Sequence, residues 1–377
     1  MRAWWLWLAV GLVGCGRPAA APVAAKACSG EACARACEGG QATACRQRGD
    51  ELDEATSTSE QRREAAGWRE KGCQMGDLPS CRELGTMQRE GRGVPRDLVR
   101  AAGLERKACD GGDLEGCARL SVHLARGEGV AADPVAARAM ARRACDGGAR
   151  GGCVIVARQM MDSGDAAAKS RAVAMLEGAC RDGSSEGCAQ LGKALLDPGA
   201  GFDPARAMEL LDKACKAQVA VGCSQLGVMR ENGWGQDQDV PAALALYKQG
   251  CDGGDPAGCT YAGWALRQGI GVTADRANAL ALTRRGCQGG DAQGCNNLGW
   301  MLQEGEGVKP DPNQAALYFD QACEGGVSAG CSNLGSLYMK GVGVRIDRDK
   351  GVELLRRGCK MGNGWGCEEL DRLGEKR

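Results

Sequence analysis

Cysteine is the residue whose number and spacing in this sequence point most directly to chemistry. The chain has 377 residues and 23 cysteines, and twenty of these cysteines form ten pairs whose members are eight residues apart. The pairs are Cys37 with Cys45, Cys73 with Cys81, Cys109 with Cys117, Cys145 with Cys153, Cys180 with Cys188, Cys215 with Cys223, Cys251 with Cys259, Cys287 with Cys295, Cys323 with Cys331 and Cys359 with Cys367. Thiols at a fixed spacing close disulfides or bind a metal, so every unit is predicted to carry one of these two chemistries.

The spacing favours disulfides over zinc. Structural zinc sites favour Cys-x-x-Cys, a spacing that this chain lacks. The same absence argues against a redox protein, because similar structural bridges in ten units offer no thiol of low pKa. We therefore expect ten local bridges, no metal and no cofactor. Cys28 and Cys33 are left over, and we expect them to pair with each other.

Histidine and net charge limit the remaining classes of function. His123 is the only histidine, so neither a Ser-His-Asp triad nor a multi-histidine metal site is available. We place His123 on the exposed side of a repeat helix, as a surface residue. Lys plus Arg equals Asp plus Glu at 48 each. No net charge is left to attract nucleic acid or an anionic membrane surface, so neither is predicted as a partner.

The cysteine pairs also define the elements that must position them. Successive pairs recur every 36 residues, with two steps of 35, and a fixed period of this size is typical of a solenoid of helical units. Aspartates precede an apolar helical stretch at a fixed offset, as N-cap residues do: Asp97, Asp133, Asp203, Asp239, Asp275, Asp311 and Asp347. Proline follows three of them, at positions 134, 204 and 312, where a helix tolerates it best.

A tight turn joins the two helices of each unit. Glycine stands three residues beyond the first cysteine in nine of ten units, with Gln218 as the exception, as a left-handed C-terminal cap requires. Four aspartates then cap the second helix: Asp77, Asp113, Asp255 and Asp291. That helix carries the second cysteine and usually Leu-Gly, and ends at a Gly-x-Gly-Val turn such as residues 341–344. Two helices across a turn of about three residues bring the paired cysteines within disulfide distance. An all-α solenoid of about ten disulfide-stapled helical hairpins is therefore predicted.

The N-terminal residues predict export. Arg2 and the short apolar run of residues 3–14 are typical of a signal peptide and too short to span a bilayer. The run ends in Leu12-Val13-Gly14-Cys15, which resembles the lipobox of bacterial lipoproteins. That resemblance implies cleavage before Cys15, its lipidation and, with Gly16 following, transfer to the outer membrane. The alternative is an ordinary signal peptide that contains a cysteine. We assign residues 1–14 to the signal peptide, 15–27 to a lipidated N-terminus and flexible tether, and 28–377 to the solenoid.

The repeat resembles a known family. The Leu-Gly helix, the Gly-x-Gly-Val turn, the Asp-x-x-x-Ala helix start and the 36-residue period look like the Sel-one-like repeat, a relative of the tetratricopeptide repeat. The Cys-x7-Cys pairs make the chain similar to the Helicobacter cysteine-rich proteins. The resemblance implies a right-handed α/α superhelix. Two units, around Cys153 and Cys188, lack Gly-x-Gly-Val, and Gln236 replaces the valine in a third. These departures put the local turn geometry in doubt.

The resemblance implies two possible functions. Sel-one-like proteins are mostly adaptors that hold protein complexes together, whereas some cysteine-rich members are associated with penicillin binding and weak β-lactamase activity. A serine β-lactamase needs Ser-x-x-Lys, Ser-Asp-Asn and Lys-Thr-Gly, and none of the three occurs here. We favour an outer-membrane-anchored scaffold of the cell envelope, periplasmic or surface-exposed, over an enzyme. Its expected partners are envelope proteins or peptides, with peptidoglycan as a further candidate and the lipid as the only membrane contact.

The resemblance also places the partner-binding residues. In related repeats the concave groove is lined by the helix that carries Leu-Gly. The matching positions hold Thr260, Trp264, Arg267 and Gln268 in one unit, and Asn296, Trp300, Gln303 and Glu304 in the next. Tyr261, Asn297 and Asn333 are expected to add hydrogen bonds at the rim. The two tryptophans occupy the same repeat position, either as interface anchors or as packing residues that fill gaps between helices.

Overall fold

The computed structural model describes residues 28–54, 56–162 and 165–376, which form twenty α-helices, one short 3-10 helix and no strand. The chain divides into two compact units, with the boundary after Lys107. The helices of the first unit are α1 (Glu31–Glu38), α2 (Ala42–Leu52), α3 (Ser59–Gln74), α4 (Leu78–Glu90) and most of α5 (Leu98–Asp110).

The second unit begins inside α5 and contains the other fifteen α-helices. These are α6 (Leu114–Arg126), α7 (Pro134–Asp146), α8 (Arg150–Met161), α9 (Ala166–Arg181), α10 (Ser185–Ala194), α11 (Pro204–Lys216), α12 (Ala220–Asn232), α13 (Val240–Asp252), α14 (Pro256–Gln268), α15 (Arg276–Gln288), α16 (Ala292–Glu304), α17 (Pro312–Glu324), α18 (Ser328–Lys340), α19 (Arg348–Lys360) and α20 (Gly364–Leu373). Consecutive helices pack together as pairs. The predicted all-α fold of repeated helical hairpins is confirmed.

The predicted signal peptide and tether, with Cys15, lie outside the described residues. Among the helices that are described, none is both long enough and apolar enough to cross a membrane.

Aspartate caps begin seven of the odd-numbered helices as predicted. At all seven predicted positions the carboxylate accepts a hydrogen bond from a backbone N–H two or three residues further on. At Asp275 the hydrogen bond from the Asn278 backbone lowers the pKa of the carboxyl group. The four aspartates expected to cap second helices do so too, on α4, α6, α14 and α16. Local side-chain chemistry therefore fixes where most helices begin.

Left-handed residues end the helices and form the turns. The turn glycine of each hairpin has a positive φ, for example 96° at Gly254 and 96° at Gly290. Gln218 takes the same conformation, with φ 61°, and is the only non-glycine residue in the described part of the chain to do so. Both glycines of a Gly-x-Gly turn are also left-handed, with φ 75° at Gly305 and 77° at Gly307.

Eleven disulfides close the described cysteines into local loops. One joins Cys28 to Cys33, and ten join the members of the Cys-x7-Cys pairs, whose Cα atoms lie 4.4 to 4.8 Å apart. The ten bridges join Cys37 to Cys45, Cys73 to Cys81, Cys109 to Cys117, Cys145 to Cys153, Cys180 to Cys188, Cys215 to Cys223, Cys251 to Cys259, Cys287 to Cys295, Cys323 to Cys331 and Cys359 to Cys367. Each of the ten therefore ties the last turn of one helix to the first turns of the next.

The bridges belong to the interior of the hairpins. The second cysteine is buried in eight of the ten pairs: Cys45, Cys81, Cys117, Cys188, Cys223, Cys259, Cys295 and Cys331. In the other two pairs it is half-buried, at Cys153 and Cys367. In these eight pairs the disulfide is thus part of the packing of the repeat.

The glycine of Leu-Gly makes room for the following helix. A Cβ atom on Gly299 would lie 2.8 Å from Cδ1 of Phe319, and one on Gly227 would lie 2.7 Å from Cδ1 of Tyr247. Phe319 is fully buried and Tyr247 is 1 % exposed. The glycine thus lets a large side chain from the next hairpin reach the core, which otherwise consists mainly of alanine and leucine.

An ion cluster forms part of the interior of the first unit. Arg69 is buried, and its guanidinium donates to Asp53 (2.5 Å) and Asp50 (3.0 Å). Arg92 also donates to Asp53. Burial opposes the charge on Arg69, but the hydrogen bonds to both carboxylates raise its pKa. Acidic residues at the end of α2 therefore pair with arginines of α3 and of the turn after α4.

The hairpins α7–α8 and α9–α10 depart from the regular geometry. The C-cap residue of α8 is Asp162, which has right-handed backbone angles, in place of a left-handed glycine. The C-cap residue of α10 is Leu195, also right-handed, and the 3-10 helix Pro198–Ala200 follows it. The turn after α12 is the third place where the sequence departs from the repeat pattern, because Gln236 replaces valine. Gly233 and Gly235 of this turn nevertheless keep positive φ values of 67° and 74°. The turn thus depends on its glycines more than on the valine.

Candidate protein-binding groove

The even-numbered helices of the second unit form the more closely spaced layer. From α6 to α16, each contacts the next even-numbered helix in addition to its odd-numbered neighbours. Residues of α6, α8, α10, α12 and α14 together line one cleft of about 550 Å³. In a curved stack of hairpins the closer layer lies on the inside. We call the solvent-facing side of these even-numbered helices, α6 to α18, the inner face.

One position of the inner face recurs in every hairpin, five residues after the second cysteine. We call it the variable position. Its occupants on α6 to α18 are Val122, Arg158, Lys193, Val228, Trp264, Trp300 and Ser336, all half-buried or exposed. Trp264 is 38 % exposed and Trp300 is 39 % exposed. Both rings therefore present part of their surface to solvent on neighbouring helices, although the rest of each ring packs on the protein.

Arg267 links the two tryptophan-bearing helices. It lies on α14, and its guanidinium stacks on the ring of Trp300 of α16 at 4.6 Å from the ring centre. Its Nε and Nη2 atoms both donate to the carboxylate of Glu306, and Nη2 lies 3.3 Å from Oε1. The hydrogen bond from Arg267 holds the pKa of Glu306 below its ordinary value. The predicted partner-binding Arg267 is thus engaged within the chain, where it fixes the Trp300 ring.

Two residues predicted to line the groove are buried. Thr260 is 1 % exposed and Asn296 is 8 % exposed. Oγ1 of Thr260 would lie 2.4 Å from a Cβ atom on Gly286 and 2.5 Å from one on Gly294. The residue after the second cysteine therefore packs against the next hairpin, so the prediction that Thr260 and Asn296 line the groove was wrong. The glycines of the following hairpin were the signal that could have shown this.

The remaining predicted residues lie on or near the inner face. Gln268 and Glu304 are exposed, and Gln303 is half-buried. The Nε2 atom of Gln303 donates to Oε1 of Glu304 at 3.1 Å. These three side chains remain accessible beside the tryptophans.

The predicted rim residues bind neighbouring side chains. Tyr261 is half-buried and packs against Tyr247, with ring centres 5.2 Å apart. Burial raises the pKa of Tyr261.

Nδ2 of Asn333 donates to Oδ1 of Asn296 at 3.0 Å, which joins α18 to α16. Oδ1 of Asn297 accepts from Gln293 at 2.9 Å on the same helix. Their hydrogen bonds thus order the surface around Trp300.

His123 is buried, and the prediction of an exposed histidine was wrong. Its side chain is 0 % exposed, and its Nδ1 atom lies 2.7 Å from the carbonyl oxygen of Glu128, to which it donates. It stands six residues after the second cysteine of its hairpin. Met229 and Met301 hold the same position elsewhere and are also fully buried. Comparison of the repeats in register would have identified it as a core position.

No group of three or more His, Cys, Asp or Glu residues that could hold a metal ion occurs in the part of the chain that the structure describes. All 22 described cysteines belong to the eleven disulfides.

A basic pair precedes the aromatic pair along the inner face. Arg158 and Lys193 occupy the variable position of α8 and α10, and both are exposed. They line the 550 Å³ cleft together with Arg126 of α6. The sequence shows these residues at the variable position, but it does not show that they share a cleft.

Comparison with known proteins gives a family match. The Sel1 repeat model matches seven segments, which together make up more than half of the chain: residues 78–113, 114–148, 185–219, 220–255, 256–291, 292–327 and 328–363. A comparison with curated proteins found no match.

Several solved structures are similar to this chain. A Sel1 repeat protein from Oxalobacter formigenes is 21% identical, with 91% of this chain and 89% of that chain covered and a TM-score of 0.45. A protective antigen of uropathogenic Escherichia coli with an SLR fold is 21% identical, with 92% and 84% covered and a TM-score of 0.40. Helicobacter pylori cysteine rich protein B is 25% identical, with 35% and 96% covered and a TM-score of 0.30.

Proposed function

The chain belongs to the Sel1 repeat family, and we propose that it is a lipid-anchored scaffold of the bacterial cell envelope that binds a partner protein on its inner face. Sel1 repeat proteins typically bind other proteins and generally serve as scaffolds without enzymatic activity. The finer proposal is that Cys15 attaches the chain to the outer membrane while Trp264 and Trp300 anchor the partner.

The observation that carries the proposal is the pair of exposed tryptophans on adjacent helices. Tryptophan is enriched among the residues that contribute most to protein interfaces. Trp300 is held by Arg267, which is itself held by Glu306. An ordered ring loses little conformational freedom when a partner binds, so more of the contact energy appears as affinity.

The disulfides support a location outside the cytoplasm. Eleven bridges in one chain are typical of an oxidising compartment, because cytoplasmic thiols are kept reduced. The outer-membrane anchor rests on the pattern of residues 12–15 and on Gly16.

The anchor is tested by Cys15→Ala. Cells that express this variant and the wild type are fed an alkyne fatty acid, and the purified proteins are compared. We expect label on the wild type alone and release of the variant from the membrane fraction. Label that persists on the variant would contradict lipidation at Cys15.

The binding surface is tested by Trp264→Ala combined with Trp300→Ala. Proteins crosslinked to the wild type in the native cell are identified by mass spectrometry, and the affinity of the recovered partner is then measured. We expect the double variant to lose at least about 2 kcal/mol of binding free energy, roughly a thirtyfold change in Kd.

The matched control is Trp365→Ala. Trp365 is 43 % exposed and lies at the start of α20, outside the variable position. Unchanged affinity in this control, with loss in the double variant, supports the inner face. A large fall in melting temperature for the double variant would instead identify the tryptophans as packing residues.

The penicillin-binding alternative rests on the resemblance to cysteine-rich relatives alone. Capture of labelled penicillin and turnover of nitrocefin by the purified protein test it directly. Stoichiometric capture would replace the scaffold proposal by a β-lactam-binding function.

A further inference from the structure

We infer that the inner face takes an acidic polypeptide segment, whose carboxylates pair with Arg158 and Lys193 and whose apolar side chain reaches Trp264. The inference rests on the proposed function and specifies the chemistry of the partner. It follows from the charges of the cleft and from the order of residues at the variable position.

The cations of the cleft are available. Arg158 and Lys193 are exposed, and within the described part of the chain neither forms an ion pair or a hydrogen bond through its side chain. Arg126, the third cation, lies 3.4 Å from Glu128. Two cations on neighbouring helices thus face the cleft without a carboxylate partner among the described residues.

The two carboxylates of the cleft each accept a hydrogen bond within the chain. Asp255 is 9 % exposed and caps α14 by accepting from the backbone N–H of Ala257. Oε1 of Glu186 accepts from the side-chain amide of Gln190 at 2.9 Å. Near the cleft, Oδ2 of Asp197 accepts from Lys169 at 2.6 Å. The neutral donors leave the charges of Glu186 and Asp255 in place, so the attraction for a ligand comes from the two exposed cations, Arg158 and Lys193, and not from the net charge of the cleft.

The order of residues at the variable position predicts how far apart the matching residues of the partner segment should lie. Packed helices lie roughly 9 Å apart, and an extended chain advances about 3.4 Å per residue. Arg158 and Lys193 on adjacent helices therefore match carboxylates about three residues apart. Trp264 lies two helices beyond Lys193, with Val228 between them, so the apolar side chain falls about five residues further on.

The test is selection from a library of random peptides of about twelve residues on the purified, oxidised protein. That length spans the four helix steps from Arg158 to Trp300. Selection is run on the wild type, on Arg158→Glu with Lys193→Glu, and on Trp264→Ala with Trp300→Ala. The matched control is Arg138→Glu with Arg142→Glu, which makes the same charge change at two exposed positions of α7.

For the wild type we expect peptides with two Asp or Glu residues about three apart, followed by an aromatic or large aliphatic residue. The selected peptides should bind the variant with both Arg158 and Lys193 replaced at least about tenfold more weakly and should weaken as salt is raised. The control pair should bind within about twofold of the wild type. The tryptophan variant should keep the acidic preference and lose the apolar one.

Three results would overturn the inference. If the peptides selected by the wild type bear no acidic preference, or bind the variant at Arg158 and Lys193 unchanged, the chemistry of the partner is wrong although the scaffold proposal stands. If the two charge-reversed variants lose affinity equally, the attraction is a property of the whole surface. If the wild type selects no peptide at all, the inference is contradicted, whereas the proposed function is decided separately by the proteins that crosslink to the wild type in the cell.

Discussion

The second unit contains two sets of hairpins that share the same disulfide between their helices but differ in their outer turns and cores. In the C-terminal hairpins, α13 to α18, each even-numbered helix ends at a left-handed glycine, and Tyr247 and Phe319 fill the core. In the middle hairpins, α7 to α10, the even-numbered helices end without such a glycine, and the core is alanine, valine and leucine. The Cα atoms of the paired cysteines lie 4.4 to 4.6 Å apart in both sets.

The residues exposed on the inner face differ between the C-terminal and the middle hairpins. The variable position holds tryptophan in α14 and α16, and Arg158 and Lys193 in α8 and α10. The Sel1 repeat model matches the C-terminal hairpins without a break but omits residues 149–184 of the middle set. The staple and its tight turn therefore fix the hairpin, while the outer turn, the core and the exposed chemistry vary independently.

The largest expected effect tests the core of the C-terminal hairpins. Phe319→Ala removes a fully buried ring and leaves a cavity, so we expect the free energy of unfolding to fall by about 3 to 5 kcal/mol. Denaturant unfolding under non-reducing conditions measures it. Leu317→Ala, at a neighbouring residue that is 64 % exposed, should stay within about 0.5 kcal/mol of the wild type. If Phe319→Ala and Leu317→Ala lost equal free energy of unfolding, the aromatic core would not be what distinguishes the C-terminal hairpins from the middle ones.

The staple itself should matter equally in both sets. Cys287→Ala with Cys295→Ala, in the C-terminal set, and Cys180→Ala with Cys188→Ala, in the middle set, open loops of the same length. The chain-entropy model gives a loss of about 2 to 3 kcal/mol for each. Denaturant unfolding of the two oxidised variants provides the comparison. A much smaller loss in the middle set would mean that its irregular turns carry the geometry instead.

A smaller effect tests the tight turn at Gln218, which precedes α12. Gln218 has the left-handed backbone that costs a non-glycine residue about 1 kcal/mol. Gln218→Gly is therefore expected to stabilise the protein by about that amount. The reverse change, Gly290→Gln, should destabilise it by a similar amount, because a Cβ atom there meets no other atom within 4 Å and only the backbone is strained. Thermal melting of both variants checks the sign.

The smallest effect concerns the ion pair of Arg267 and Glu306 in the C-terminal set. The pKa of Glu306 is lowered by Arg267 from the ordinary 4.5. Its contribution to stability is therefore present above about pH 4.5 and is lost as pH falls through the lower pKa of the folded state. Glu306→Gln should cost less than about 1 kcal/mol at neutral pH, and the difference from the wild type should close in acid. Melting curves at neutral pH and near pH 3 test this, and a difference that widens in acid would contradict it.

The sequence predicts the hairpins because their signals are local. An aspartate that caps a helix, a glycine in a left-handed turn and two cysteines eight residues apart each act within a few residues of the backbone. Predicting these features therefore required no knowledge of how one hairpin packs against the next. The ends of α8 and α10 were not predictable in this way, since the turn glycines are absent there and packing decides the geometry.

The candidate site was less predictable because exposure depends on contacts between hairpins. Thr260, Asn296 and His123 are polar residues whose burial is set by neighbouring repeats. The family resemblance placed Thr260 and Asn296 in the groove, and His123 was placed on the exposed side of its helix. The same resemblance placed Trp264 and Trp300 on the groove, and both are partly exposed. Positions taken from one resemblance therefore differ in exposure, because contacts with the next hairpin decide which side chains are buried.

The central claim is that the inner face of α14 and α16 holds a partner protein. It is tested most directly by replacing Trp264 with the photocrosslinking residue benzoylphenylalanine and irradiating cells that express the full chain. The same replacement at Trp365, an equally exposed tryptophan outside the variable position, is the control. If the inner face holds a partner, a discrete crosslinked protein is expected from position 264 and none from position 365. Crosslinks from position 365 alone, or the same products from both positions, would contradict it.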